Sequence, residues 1–327
     1  MSCLLLVASY AAADDLVVLT NGNRMTGTVR ELSRGELDFS IAGAGRVNID
    51  WRNVAQLESE QRLDVESASG ERFLGTIASP APGTLEVMTD AGHREVPMSD
   101  VVRITPVAAT FRDRTSGSID AGIDFLSAGD EIDWTLNAEA RNRTEHYRTD
   151  VSLSSLVRRH DHETTQQRND LQLGVRRLLE QRWFVLGLFE AEEDRELDLD
   201  LRLLAGIALG RTLVQSSRTE FAVYGGLDFV HEEYRGTSDL DEDLVEALAA
   251  LEWEWFDIGQ FTFSVTATTY AALDDGRMRF KLDSSLRRYI TSAVYLSLNV
   301  FESYNDDPPE GFEKSDWGVS MTFGRTF

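Results

Sequence analysis

Charged residues fall at alternate positions in several segments of the second half of the chain, with apolar residues between them. Period-two alternation is typical of β-strands and places the charged side chains on one face of a sheet. If that sheet closes into a barrel, the charged face lines the lumen, where carboxylates and guanidinium groups can pair or favour cations. The candidate lumenal charges are Asp133, Glu139, Asp198, Asp200, Arg202, Glu246, Glu252, Glu254, Arg279, Lys281, Asp283 and Arg287.

Three other constellations have the composition of a metal or catalytic site. Residues 239–243 resemble the opening of an EF-hand loop, but Leu244 and Ala250 stand where that loop needs Gly and Glu. Residues 160–163 contain two His and two acids without a second ligand cluster. His231 could act as the base of a hydrolase at a barrel rim, yet no nucleophile with a matching partner can be named. We therefore predict no cofactor, no metal site and no enzymatic activity, with a rim hydrolase and a diffuse divalent-cation site as alternatives.

The overall charge excludes one class of partner. The 327-residue chain has 32 Lys+Arg against 56 Asp+Glu, a net charge of −24, and would repel nucleic acid. Hydrophobic residues make up 42%, enough for a folded core. The single cysteine, Cys3, lies in an apolar leader, so the mature chain is expected to lack disulfides and cysteine-bound metal. Outside the leader no apolar run approaches the ~18 residues of a spanning helix, so crossing a membrane requires strands.

Residues 1–13 are predicted to be a signal peptide. Residues 3–13 are uncharged and mostly apolar, and Ala11 to Ala13 are the small residues expected before a cleavage site at Asp14. The basic stretch typical of such leaders is missing, and a buried first strand is the alternative. The leader predicts export.

Residues 16–106 contain an internal duplication. Residues 21–29 align with residues 69–77 at an offset of 48, and each copy reads as short alternating strands joined by Asn-Gly or Ser-Gly turns. This pattern predicts two SH3-like or Sm-like modules, at residues 14–60 and 61–106, followed by a linker at 107–115. Such modules bind a peptide, a glycan or another protein, or serve only as a spacer.

From residue 116 onward, period-two alternation dominates. Twelve segments begin near residues 117, 131, 147, 167, 183, 197, 218, 243, 260, 276, 293 and 315, without a proline between residues 106 and 308. An even number of strands is typical of bacterial membrane barrels, so residues 116–327 are predicted to form a 12-stranded up-and-down transmembrane β-barrel. Ten or fourteen strands are also possible, and a soluble β-sandwich would alternate in the same way.

The connections after odd-numbered segments differ in length and charge from those after even-numbered segments. Those after odd-numbered segments are longer and strongly acidic, whereas those after even-numbered segments are short and nearly neutral. Outer-membrane barrels have long outer loops and short periplasmic turns, so this asymmetry favours a membrane barrel over a sandwich. The terminal aromatic residue, Phe327, resembles the signal recognised by the barrel-assembly machinery.

Several segments resemble a known family. Residues 21–27 (NGNRMTG), residues 182–185 (RWFV), residues 229–234 (FVHEEY) and the tail from Tyr304 to Phe327 are similar to a bacterial outer-membrane β-barrel family of unknown function. Members of that family are described as salt-induced outer-membrane proteins. The resemblance covers residues 116–327, and the Asn-Asp-Asp-Pro-Pro hairpin is its most specific part. It implies an outer-membrane barrel and carries over no catalytic residue.

These observations together predict an outer-membrane β-barrel with a periplasmic N-terminal module. The expected role is structural, in envelope stress or adaptation to salt, or passage of small solutes through a narrow pore. The expected partners are outer-membrane lipid, the barrel-assembly machinery, and peptidoglycan or a periplasmic protein. A hydrolase at the outer rim and a soluble secreted two-domain β-protein are the alternatives.

Overall fold

The computed structural model describes residues 14–107, 110–126, 131–160, 163–235, 242–257, 261–274, 276–291, 293–308 and 313–327. The side chains of residues 123–126, 131–133, 159–160, 163–166 and 257 are not described. The chain divides into two compact units, Met1–Ala109 and Thr110–Phe327. The predicted signal peptide, including Cys3, lies outside the described residues. Within the described ranges, no helix is long and apolar enough to cross a membrane.

The N-terminal unit is one antiparallel sheet of nine strands. Its order is β4-β3-β2-β1-β5-β6-β7-β8, and β9 pairs with both β2 and β5. The strands are β1 (Asp15–Leu19), β2 (Arg24–Ser33), β3 (Glu36–Ile41), β4 (Gly45–Asp50), β5 (Val54–Ser67), β6 (Arg72–Ala78), β7 (Thr84–Thr89), β8 (Gly92–Pro97) and β9 (Val101–Pro106).

The duplication in the sequence is visible in this sheet. The first half of β5 pairs with β1, and its second half takes the place of β1 in the second repeat and pairs with β6 and β9. Gly27 and Gly75, which are 48 residues apart, make the same close approach to the next strand. A Cβ atom would lie 2.1 Å from the carbonyl oxygen of Ser40 at Gly27 and of Met88 at Gly75. The repeated glycine therefore permits the strand pairing in each copy.

The two repeats share one hydrophobic core. The indole Nε1 of Trp51 donates to the carbonyl oxygen of Met98, its approximate counterpart in the second repeat, at 2.7 Å. Leu32 of β2 pairs with Ile104 of β9, so each repeat helps to close the other. Neither repeat buries its apolar face alone. The SH3-like classification of residues 14–60 and 61–106 stays a prediction.

The second unit is a closed barrel of twelve antiparallel strands, and the predicted fold is confirmed. Each observed strand begins within a few residues of a predicted segment. The strands are β10 (Thr115–Leu126), β11 (Glu131–Arg143), β12 (Tyr147–His160), β13 (Glu163–Leu178), β14 (Trp183–Asp194), β15 (Leu199–Gln215), β16 (Thr219–Tyr234), β17 (Glu242–Asp257), β18 (Phe261–Ala272), β19 (Met278–Tyr289), β20 (Val294–Asn305) and β21 (Ser315–Thr326).

The barrel closes where the first strand meets the last. Residues 118–121 of β10 pair with residues 323–326 of β21. The backbone nitrogen of Phe327 donates to the carbonyl oxygen of Gly117 at 3.0 Å, and Gly117 donates back at 3.2 Å. A Cβ atom at Gly117 would lie 2.5 Å from the Phe327 ring, so glycine leaves room for the terminal aromatic residue. This pairing provides hydrogen-bond partners for backbone N–H and C=O groups of the two edge strands, which would otherwise face hydrocarbon unpaired.

The outer surface of the barrel is apolar, as predicted. Met321 is 60% exposed, and large apolar side chains from other strands lie on the same surface. A soluble sandwich would have buried this face between two sheets. The exposed residues include Ile119, Trp134, Leu136, Val151, Leu153, Leu171, Leu173, Phe189, Ile207, Leu209, Leu227, Phe229, Val245, Leu251, Trp253, Trp255, Leu286, Leu296, Leu298, Trp317, Val319 and Phe323.

Candidate functional site in the barrel lumen

Alternate residues of the barrel strands point inward and form two groups of charges. We call the group in the half remote from the start of β10 the distal cluster, and the group in the other half the proximal cluster. Every member of the distal cluster is buried, although it lies in a lumen rather than in a protein core. The distal cluster comprises Arg168, Asp170, Glu190, Glu192, Arg202, Glu232, Glu246, Arg277, Arg279 and Lys281.

Glu232 accepts hydrogen bonds from three side chains in the distal half of the lumen. Its side chain is 0% exposed and accepts from Arg202 Nε at 2.7 Å, from Arg277 at 3.1 Å and from the Tyr234 hydroxyl at 2.9 Å. Arg202 also donates to Glu192 at 3.1 Å. Because a buried charge is costly unless it is paired and hydrogen-bonded, this geometry stabilises all of these groups together.

Lys281 lies among three carboxylates on the opposite wall. Its Nζ is 2.7 Å from Asp170 Oδ2, 2.5 Å from Glu190 Oε1 and 3.9 Å from Glu192 Oε2. The three carboxylates are close enough together to hold a metal ion. The Lys281 ammonium supplies the positive charge at this position instead.

Glu246 and Arg279 form a bidentate pair in the same cluster. Arg279 Nε donates to Glu246 at 2.9 Å, and a second guanidinium nitrogen contacts the other carboxylate oxygen. The guanidinium also lies 4.7 Å from the centre of the Tyr270 ring. A bidentate, stacked arginine is a strong and directional contact, so it fixes the wall positions of β17, β18 and β19.

The proximal cluster also spans the lumen. Arg141 of β11 bonds Asp150 at 2.6 Å and reaches Glu254 of β17, on the opposite wall, at 2.9 Å. Further pairs join Arg148 to Glu220 at 3.1 Å, Arg176 to Glu252 at 2.5 Å and Arg287 to Glu139 at 2.7 Å. Direct contacts between distant walls mean that side chains, rather than a wide aqueous channel, occupy these levels of the barrel.

An apolar cluster inside the barrel was not predicted from the sequence. It comes from strands β14–β18, and Leu204 and Val230 at its centre are fully or almost fully buried. The sequence does contain a sign of this cluster. Parts of β15 and β17 are apolar at both odd and even positions, and such a run indicates that both faces of the strand are buried. The members are Phe184, Leu186, Leu204, Ala208, Ala222, Val230, Leu244, Leu248 and Tyr270.

Most of the predicted lumenal charges lie in these clusters, and two predictions are wrong. Asp200 is exposed and pairs with Arg235 at 2.7 Å, and Asp198 lies in the turn before β15 with a φ of 48°. The reason is an irregularity in the register between Leu199 and Leu201, which reverses the alternation at that point.

The remaining predicted charges have these positions. Arg202, Glu246, Arg279 and Lys281 belong to the distal cluster, and Glu139, Glu252, Glu254 and Arg287 make proximal pairs. Half-buried Asp283 lies near Lys281 and Arg168, whereas the side chain of Asp133 is outside the described residues. The alternation also extends to residues that sequence reasoning missed: Arg141, Arg148, Asp150, Arg168, Asp170, Arg176, Glu190, Glu192, Glu220, Glu232 and Arg277.

His231 lies on the outer face near the distal rim. Its Nδ1 is 2.8 Å from Asp243 Oδ1, and its Nε2 is 3.3 Å from Glu233 Oε1. Both ring nitrogens therefore face carboxylates rather than a hydroxyl nucleophile. The His-rich segment at residues 160–163 and most of the calcium-loop-like segment at 239–243 lie outside the residues whose side chains are described.

Comparison with known proteins gives one family match. The family described as "Protein of unknown function, DUF481" matches residues 119–327. No curated protein matches the chain.

Solved structures show only distant likenesses. The NanC porin is similar at 11% identity, covering 65% of this chain and 97% of that chain, with a TM-score of 0.37. The translocator domain of the autotransporter NalP from Neisseria meningitidis is similar at 13% identity, covering 65% and 86%, with a TM-score of 0.36. A further porin is similar at 10% identity, covering 97% and 99%, with a TM-score of 0.31. These TM-scores are low, so the function of this chain is not inferred from them.

Proposed function

We propose that this chain, which belongs to the DUF481 family, a family of unknown function, is a structural outer-membrane barrel. The closed barrel and its apolar exterior support this proposal. In this proposal, ion pairs close the lumen, and the protein supports the envelope during salt stress without catalysing a reaction. The buried distal cluster is the observation that carries the proposal.

Burial inside the lumen supports a closed barrel. A water-filled pore leaves its lining charges accessible to solvent, whereas Glu232 and Glu246 are both 0% exposed. Contacts such as Lys281 with Asp170 join distant walls, so opening this level would break several buried pairs at once.

The salt-related role is supported by the way that buried charges respond to ions. Salt screens exposed pairs over about 8–10 Å, but it screens buried pairs much less. A barrel closed by buried pairs would therefore keep its closed lumen as the external salt concentration changes. The resemblance to proteins described as salt-induced points in the same direction.

We place the N-terminal unit in the periplasm. The chain enters the barrel at β10, at the end that carries the short connections 144–146 and 216–218. Short connections face the periplasm in outer-membrane barrels. We propose that residues 14–106 bind peptidoglycan or a periplasmic protein there, and that Phe327 is recognised by the barrel-assembly machinery during insertion.

Conductance in planar bilayers tests the closed lumen. The full-length protein should give flat current traces at several salt concentrations. Lys281→Ala should introduce current because it removes a side chain that crosses the lumen. Lys314→Ala is the matched control, because Lys314 is the only other lysine and contacts an exposed backbone carbonyl. Regular unitary currents from the unmodified protein would refute the proposal.

A narrow pore is the second candidate function. Inward-facing Ser154 on β12 is exposed, and its hydroxyl donates to Asn137 at 2.8 Å, so water reaches this part of the lumen. If this water-accessible region continued to both mouths of the barrel, small cations would pass, and the same bilayer recordings would detect them.

A hydrolase at the barrel rim is the enzymatic alternative. Such an enzyme would lose its activity on a surface lipid or peptide in the His231→Ala variant.

A further inference from the structure

The outer surface of the barrel carries four arginines near the end where β10 begins, which we call the proximal end. Each comes two residues after an exposed apolar side chain of the same strand, so all four lie on the outward face. Three of them are exposed, and Arg211 is half-buried. The four are Arg177 on β13, Arg211 on β15, Arg288 on β19 and Arg325 on β21.

These four arginines differ from the other arginines of the barrel in their partners. In the described part of the chain, none of the four guanidinium groups forms an ion pair or donates a hydrogen bond. By contrast, lumenal Arg202 pairs with Glu192, and exposed Arg235 at the distal end pairs with Asp200. Among the described side chains, the outward-facing positions of the proximal strand halves include no carboxylate. The four arginines therefore place unpaired positive charge on the outside of the proximal end.

The first two arginines flank strand β14. Arg177 pairs with Val185 of β14, and Val185 pairs with Leu209 of β15. Arg211 comes two residues after Leu209, so the two arginines lie two strands and two residues apart. Strands are about 4.8 Å apart and rise about 3.3 Å per residue, which places the two Cα atoms about 12 Å apart. Trp183 lies directly opposite Arg211, and its ring centre is 5.5 Å from the guanidinium carbon.

The other two arginines repeat this arrangement around β20. Arg288 pairs with Leu296 of β20, and Leu296 pairs with Phe323 of β21. Arg325 comes two residues after Phe323, so this pair has the same spacing as the first. The two pairs are six strands apart in a closed barrel of twelve strands, and they therefore lie on opposite sides of the barrel.

An aromatic residue stands beside the first arginine of each pair. Tyr147 of β12 pairs with Arg177, and Phe261 of β18 pairs with Arg288. The guanidinium carbon of Arg288 lies 5.6 Å from the centre of the Phe261 ring. Outward-facing aromatic residues are typical of the boundary between hydrocarbon and lipid headgroups, where an outward-facing arginine costs little. Both arginine pairs therefore lie at the level of the headgroups.

We propose that each arginine pair binds the phosphate of an anionic phospholipid in the leaflet that surrounds the proximal end. Guanidinium groups match the geometry of phosphate oxygens, and basic side chains at a membrane surface attract anionic lipids. Two arginines on either side of one strand can contact the same headgroup from two directions. The inference rests on the proposed membrane placement of the barrel, but it does not depend on whether the lumen conducts.

Insertion into neutral vesicles separates this inference from the membrane placement. The full-length protein should insert into vesicles of phosphatidylcholine alone and show heat-modifiable migration on a gel. A protein that did not enter these vesicles would contradict the membrane placement, and the lipid sites with it. Insertion there, without any preference for phosphatidylglycerol in the binding measurement, would overturn the lipid sites alone.

Native mass spectrometry measures the bound lipid. Protein released in mild detergent from vesicles of phosphatidylglycerol and phosphatidylcholine should retain two phosphatidylglycerol molecules, one for each arginine pair. Glycerol phosphate, which has the headgroup chemistry without acyl chains, should not displace them. Displacement by glycerol phosphate would show a site for a free phosphate and would overturn the assignment to lipid.

Two double variants test the arginines themselves. Arg177→Gln with Arg211→Gln should lose one bound phosphatidylglycerol, and Arg288→Gln with Arg325→Gln should lose the other. A basic residue near an anionic membrane surface contributes about fivefold to binding, so removing two should weaken that site about 25-fold. Both variants should fold, because these guanidinium groups have no hydrogen-bond or ion-pair partner in the described structure. The matched control is Arg235→Gln, which removes an exposed arginine from the distal end and should retain both lipids. Retention of both lipids by the two double variants would overturn the proposal.

Discussion

Replacing Glu232 by Gln should be among the most destabilising isosteric changes in the barrel. The amide keeps the shape of the side chain but removes the charge that Arg202 and Arg277 face at 2.7 and 3.1 Å. Removing one partner of a buried ion pair costs about 3–5 kcal/mol. Arg202 keeps Glu192 at 3.1 Å and Arg277 keeps Glu242 at 3.2 Å, so we expect the lower end, about 3 kcal/mol.

Urea unfolding of the detergent-refolded protein measures this cost. A loss of about 3 kcal/mol lowers the folding equilibrium constant by roughly 150-fold. Glu233→Gln is the matched control, because the neighbouring residue is exposed and its carboxylate contacts His231 at 3.3 Å. That change should cost less than about 0.5 kcal/mol. If the two variants were equally stable, the distal cluster would contribute nothing to closure, and our reasoning about the lumen would be wrong.

Three further outcomes are expected. Gly27→Ala and Gly75→Ala should each cost about 1–3 kcal/mol in urea unfolding, because the new methyl group meets a backbone carbonyl. Phe327→Ala should reduce the folded, heat-modifiable fraction recovered from the outer membrane without changing the amount synthesised. Burial raises the pKa of Asp50, but the bonds from Arg52 outweigh it and hold that pKa below 3.8. Asp50→Asn should therefore destabilise the N-terminal unit at pH 7 and have less effect as the pH falls through that lowered pKa, measured by unfolding across pH.

The sequence alone predicted the number of barrel strands and their outward faces. Alternation is a local property of each strand, so segments such as residues 317–327 indicate which side chains share a face. The failure at Asp198 and Asp200 came from an irregular register beside Leu199, which period-two counting cannot detect. The duplication at an offset of 48 also predicted repeated strands, but not that β5 would serve both copies.

The lumenal pairs were decided by the tertiary structure. Alternation placed Lys281 on the inner face, but its partners Asp170 and Glu190 are 111 and 91 residues away in sequence. Which side chains meet across a barrel depends on strand tilt and stagger, which are properties of the closed sheet and not of any single strand. The sequence therefore determined the two faces of the wall, and closure of the barrel determined which charges neutralise each other.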